Sequence, residues 1–161
     1  MPVRILKEGH FVDRTWKEIK VGDIVEVQAD KQFPCDLVLL FSDTDNGACY
    51  ITTANLDGET NLKRRTVPGK LPVLNSESEL EKLHGVIKSD KPNANLYEFN
   101  GKILYKNQQI PIANDNILLR GCTLRMTPVI YGCAIYTGKD TKMMRNSKFK
   151  SNKLSCIERY V

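Results

Sequence analysis

Thr52-Thr53-Ala54-Asn55-Leu56-Asp57-Gly58-Glu59-Thr60-Asn61-Leu62-Lys63 carries more of this chain's meaning than any other stretch. Asp57-Gly58 favours a tight turn, because glycine accepts a positive φ at no steric cost. Leu56 and Leu62 bracket that turn, apolar anchors that hold a polar tip out from a packed body. The tip then presents the carboxylates of Asp57 and Glu59 and the hydroxyl of Thr60. A carboxylate fixed in this way orients or deprotonates a water, the work of a general base, and Glu59 is the residue placed for it. Asp-Gly is also the ordinary punctuation of hairpins and loops, so the spacing alone leaves both readings open.

Working outward, Ala48-Cys49-Tyr50-Ile51-Thr52-Thr53 reads as a strand that ends at this loop. The run Asp36-Leu37-Val38-Leu39-Leu40-Phe41 is continuous, apolar and of strand length, the pattern of a strand buried on both faces. Ile24-Val25-Glu26-Val27-Gln28 alternates apolar and polar as a half-buried strand does. Thr15 caps a short helical turn over Trp16-Lys17-Glu18-Ile19. Past the loop, Ser76-Glu77-Ser78-Glu79 fits a capping box, with Leu80, Leu83 and Ile87 on one face of the helix and Gly85 as its stop. Leu96-Tyr97-Glu98-Phe99 and Lys102-Ile103-Leu104-Tyr105 flank Asn100-Gly101, a strong type I′ hairpin signal. Further strands are expected at Ile117-Leu118-Leu119, over Cys122 to Met126 and over Val129 to Tyr136. A helical turn then opens at Gly138 and runs through Met143 and Met144. About eight short strands separated by turn residues predict a mainly β sandwich or roll with one or two short surface helices.

Composition limits what such a domain can do. At 161 residues with 41% apolar and 27% charged side chains, it is one ordinary globular domain. No run approaches the ~18 apolar residues of a membrane span, and Met1 to Leu6 is too short and interrupted for a secretory signal, so the chain is expected to be soluble. Cys35, Cys49, Cys122, Cys133 and Cys156 are odd in number and widely spread, which points to reduced thiols packed as small hydrophobes. His10 and His84 have no partner at ligand spacing, so no metal site is expected. There is no glycine-rich phosphate loop, hence no nucleotide site, and no Gly-x-Ser-x-Gly elbow. The net charge of +5 gathers partly in Lys63-Arg64-Arg65 and in Lys139, Lys142, Arg145, Lys148, Lys150 and Lys153. Without interleaved aromatics the second cluster argues against nucleic acid and for a solvated or membrane-proximal flank.

Several ordered blocks resemble one family. They are Trp16-Lys17-Glu18-Ile19-Lys20-Val21-Gly22-Asp23-Ile24-Val25, Phe33-Pro34-Cys35-Asp36-Leu37-Val38-Leu39-Leu40, Gly47-Ala48-Cys49-Tyr50-Ile51, and the loop Leu56-Asp57-Gly58-Glu59-Thr60-Asn61-Leu62-Lys63. A last block runs from Asn116 to Arg125 and continues through Ile130-Tyr131-Gly132 to Ile135-Tyr136-Thr137-Gly138-Lys139-Asp140-Thr141-Lys142. From about Thr15 to about Asn146 the chain is similar to the actuator domain of type IV P-type ATPases, the phospholipid flippases, whose signature is Asp-Gly-Glu-Thr. It departs at Cys35, where relatives usually carry alanine, and at Met126, where they generally carry asparagine.

That resemblance implies a distorted jelly-roll, similar to a double-stranded β-helix, set between two transmembrane helices on the cytosolic face of a much larger protein. Residues 1–14 would follow the second transmembrane helix, 15–146 would be the actuator domain, and 147–161 a basic connector towards the third. It implies that Glu59 activates the water that hydrolyses a phosphoaspartate formed in another domain, coupling this step to lipid movement between leaflets. Asp57 and Thr60 would shape the loop, Gly58 would let it approach the phosphoryl group, and Asn61, Lys63, Arg64 and Arg65 would serve docking. Implied partners are the phosphorylation and nucleotide-binding domains, the membrane helices, an accessory transmembrane subunit and the phospholipid. ATP and Mg2+ would serve the parent, and this chain alone would hold no cofactor and be inactive. Two other classes stay open on the residues: a β-rich module that binds partners or lipid headgroups, and a small hydrolase using Asp57 and Glu59. Two residues apart on one turn, those carboxylates are poorly placed to flank a glycosidic bond, which ranks the hydrolase last.

Overall fold

The computed structural model describes residues 1–72, 79–80, 83 and 85–146, and the apolar run β4 (Asp36–Ser42) is an interior strand of its largest sheet, second from one edge. Leu37, Val38 and Leu39 on β4 are fully buried, so the strand is covered on both faces as its sequence requires. It pairs antiparallel with β12 (Val129–Tyr136) on one side and with the short β10 (Ile117–Leu118) on the other. Beyond β12 come β3 (Ile24–Gln28), β1 (Pro2–Lys7) and β2 (His10–Thr15), giving the order β10-β4-β12-β3-β1-β2. Gly132 on β12 lies beside a register shift against β4, and a Cβ there would stand 2.9 Å from the Leu37 Cβ. Glycine at that position lets two core strands approach closely.

Two three-stranded sheets complete the body. One contains β5 (Ala48–Thr52), flanked by β11 (Thr123–Arg125) and the edge strand β6 (Lys63–Thr66). The other runs β7 (Val86–Ser89), β8 (Gly101–Tyr105), β9 (Gln108–Ile112). Ile5, Val25, Ile51, Ile110, Leu124 and Ile130, drawn from all three sheets, join one apolar core. Helical structure among the described residues is short: α1 (Ala54–Asp57), residues 79–80 and 142–146, and 3-10 turns at Trp16–Glu18, Asn114–Asn116 and Gly138–Asp140. Thr15 stands at the N-cap position of the Trp16–Glu18 turn without a side-chain cap bond of its own, and the Glu18 carboxylate accepts from both the Thr15 N–H and hydroxyl. The mainly β expectation is met, and no helix among the described residues is long and apolar enough to cross a membrane.

The differences from the expected pattern have physical causes. The β1–β2 hairpin, which takes in most of residues 1–14 and reaches Thr15, buries Val3, Ile5 and Phe11 in the core. Asn100-Gly101 is not the hairpin turn, and residues 96–99 form no strand. Gly101 instead opens β8, where a Cβ would sit 2.7 Å from both the Lys88 carbonyl oxygen and the Phe99 ring. The tight hairpin is the next one, β8–β9, turning through Lys106 (φ 45°) and Asn107 (φ 62°), both left-handed as a type I′ turn demands. Ile87 lies on β7 and not on a helix face, while the expected cap at Ser76 falls outside the described residues. Lys142, counted in a solvated basic flank, is fully buried. Cys35, Cys49, Cys122 and Cys133 are free thiols inside the core; burial pushes Cys49, Cys122 and Cys133 up to about 12 and Cys35 higher still.

Candidate functional site

Leaving β5, the chain makes a single helical turn, α1, and stops at Gly58, which takes the left-handed conformation (φ 75°) with its N–H on the Ala54 carbonyl. The Asp57-Gly58 signal is therefore a helix C-cap, and the positive φ that glycine permits is the one the sequence asked for. Asp57 organises the tip. Its Oδ1 accepts from the Thr53 hydroxyl at 2.9 Å and the Glu59 N–H at 3.0 Å, and its Oδ2 accepts from the Tyr97 hydroxyl at 3.3 Å. Burial works to raise the Asp57 pKa, but the hydrogen bonds from Glu59 and Thr53 and the Lys63 charge outweigh it and hold the carboxyl below its usual range. Asp57 is thus an ionised structural acceptor, and the backbone of Glu59 is fixed to it.

Glu59 itself projects outward, with 57% of its side chain exposed, and its Oε2 pairs with the Lys63 ammonium. The hydrogen bond to Glu59 raises the Lys63 pKa, against a smaller opposing effect of burial. Lys63 Nζ also lies 3.9 Å from Asp57 Oδ2, so one ammonium stands between the two carboxylates. Thr60, Asn61 and Leu62 are exposed. The expected docking cluster divides: Lys63 turns back to the loop, Arg64 faces solvent, and Arg65 is half-buried with its Nε enclosed and unpartnered among the described residues. Behind the tip is a cavity of about 20 Å³, bounded by Thr53, Asp57, Lys63, Arg65, Tyr97 and Cys122 among others. Among the described residues the Thr60 hydroxyl makes no hydrogen bond to Asp57.

Tyr97, which no local sequence signal marks, reaches the tip from a segment forty residues away. That segment, residues 90–100, is tied down by side chains. Asp90 and Asn100 bond each other through backbone and carboxylate, and Tyr136 donates its hydroxyl to the Asp90 carbonyl. The buried Lys142 ammonium donates to Asn93 Oδ1 at 2.8 Å, and Asn146 Nδ2 donates to the Ala94 carbonyl at 3.1 Å. The helical residues 142–146 are fixed in turn by Asp36 at the start of β4. Its two oxygens accept the Arg120 N–H at 2.9 Å and the Lys142 N–H at 2.8 Å. Burial pushes Asp36 up to about 6, opposed by those two bonds and by the Lys142 and Arg120 charges. No group of three or more His, Cys, Asp or Glu among the described residues is arranged to hold a metal.

Three antiparallel sheets, one of which carries an acidic tip between β5 and β6, match one known domain. The profile of the P-type ATPase actuator domain covers residues 1–146. The chain belongs to that family. The actuator domain here is 43% identical, over 99% of its length, to a phospholipid-transporting ATPase of Schizosaccharomyces pombe, of which it spans 13%. It is 45% identical over 94% of its length to a probable phospholipid-transporting ATPase of Arabidopsis thaliana, spanning 12% of that protein. Against the human phospholipid-transporting ATPase IG the identity is 43% over 99% of this chain and 14% of the relative. A crystal structure of a zinc-transporting PIB-type ATPase in an E2.Pi state superposes over 91% of this chain and 16% of that one, with a TM-score of 0.53 and 13% identity. That likeness concerns the fold of the actuator domain.

Proposed function

We propose that this actuator domain serves a phospholipid-transporting P-type ATPase and that Glu59 is its general base for hydrolysis of a phosphoaspartate in a neighbouring domain. The observation that carries the reading is the exposed Glu59 carboxylate on a tip whose backbone Asp57 and Gly58 fix. Docked on the phosphorylated domain, Glu59 accepts a proton from water while the water oxygen bonds to phosphorus. The bond between phosphorus and the aspartyl oxygen breaks, and its electron pair stays on the aspartate carboxylate. Gly58 presents no side chain where a Cβ would point into open space, so the loop meets a phosphoryl group without steric hindrance. Asn61 and Arg64, both exposed beside the tip, are the docking contacts of this reading. ATP and Mg2+ act in the parent's other domains, and the domain works at the cytosolic face of the membrane, alongside the membrane helices, an accessory subunit and the lipid.

The test is decay of the labelled phosphoenzyme in the full-length ATPase after chasing with unlabelled ATP and lipid. Glu59→Gln keeps the shape of the side chain and removes the base, so phosphorylation proceeds and decay slows by ~10²–10⁴. Decay at the wild-type rate would remove Glu59 from the chemistry.

A further inference from the structure

The pairing of Glu59 with Lys63 is asymmetric. Lys63 is the first residue of β6, held in register opposite Ile51, and only 27% of its side chain is exposed. Glu59 stands beyond the end of α1 with twice that exposure. The ammonium is therefore the fixed member and the carboxylate the movable one. Asp57 and Tyr97 flank the pair from α1 and from residues 90–100, and Arg65 follows on β6. A partly exposed ion pair of this type adds little to stability. Its effect lies in where it keeps the carboxylate.

We propose that Lys63 is a positioning residue for Glu59, holding its carboxylate at the tip until the loop meets an anionic phosphoryl group. This inference rests on the reading of Glu59 given above. A dianionic phosphoryl group approaching the tip competes with Glu59 for the ammonium, so docking itself loosens the pair. The freed carboxylate then turns to the attacking water. Without Lys63 the Glu59 carboxylate has no fixed starting place. A misplacement of about 1 Å is enough to cost ~10² in rate.

The experiment is the same phosphoenzyme decay in the full-length ATPase, with Lys63→Met, Lys63→Arg, Glu59→Gln and the double variant Glu59→Gln/Lys63→Met. Wild-type levels of ATP-dependent phosphorylation in each show that the protein is folded. Lys63→Met is expected to slow decay ~10- to 100-fold, and Lys63→Arg, which restores the cation, to recover most of that loss. The double variant should decay no more slowly than Glu59→Gln alone, because Lys63 acts through Glu59. Wild-type decay in Lys63→Met, no recovery in Lys63→Arg, or a full further slowing in the double variant would each overturn the inference while leaving Glu59 in place. Wild-type decay in Glu59→Gln would instead overturn the reading of the loop itself.

Discussion

Asp36 makes the domain's stability depend on pH in the direction opposite to that of an ordinary ion-paired carboxylate. It is fully buried, and although two backbone N–H groups and the nearby Lys142 and Arg120 charges favour the anion, burial raises its pKa from 3.8 to about 6. The folded state therefore holds a proton more tightly than the unfolded chain. The stability associated with the neutral acid is fully present below about pH 4 and is lost as the pH rises through 6. At ~1.4 kcal/mol for each unit between the two values, the difference amounts to about 3 kcal/mol. Asp36→Asn isolates it, because asparagine has no proton to lose in this range, at the cost of turning an amide NH2 toward one of the two N–H donors. Urea unfolding of wild type and Asp36→Asn across about pH 4 to pH 7 gives the comparison. Wild-type stability relative to the variant should fall by most of that 3 kcal/mol as the pH rises. A difference that is flat, or that grows with pH, would refute the reasoning and show that the two N–H bonds outweigh burial.

Two further predictions concern the backbone. Gly132→Ala forces a Cβ to within 2.9 Å of the Leu37 Cβ and 3.2 Å of the Val38 carbonyl oxygen, both on a core strand that cannot yield cheaply. It should lower stability by about 1–3 kcal/mol in the same urea assay, and an unchanged midpoint would mean that β4 and β12 separate freely. Met126, at φ 50° and 77% exposed, holds a left-handed conformation with no packing in return. Met126→Gly should therefore raise stability by about 1 kcal/mol, and a loss would point to contacts made by the methionine side chain.

What could be read from the sequence was the part in which local chemistry and tertiary structure agree. The run Leu37 to Phe41 is so uniformly apolar that it had to be largely buried, and Asp57-Gly58 favoured the positive φ that Gly58 adopts. The loop was legible as an acidic tip, but its internal bonding was not, since Tyr97 arrives from another segment. Asn100-Gly101 misled because the strand expected before it does not form; the pressure for glycine at position 101 comes from the Lys88 carbonyl and the Phe99 ring, both invisible locally. Lys63 to Thr66 concealed a strand because three consecutive cations have little intrinsic preference for β structure, yet the edge of β5 supplies the hydrogen bonds and an edge strand tolerates charge. Lys142 was hidden by composition. Among basic neighbours a lysine reads as solvated, and only the fold places it beneath Asn93.

That buried ammonium has a consequence for how the molecule breathes. Residues 90–100 contribute no strand or helix of their own, so their order depends on Phe99 in the apolar core and on polar tethers, among them Lys142 to Asn93, Asn146 to Ala94 and Tyr136 to Asp90. A segment held by side chains rather than by a backbone ladder opens with a free energy set by those contacts. Each opening carries Tyr97 away and leaves Asp57 Oδ2 with one partner fewer. One of the contacts that order the tip therefore depends on a lysine that lies outside the loop altogether.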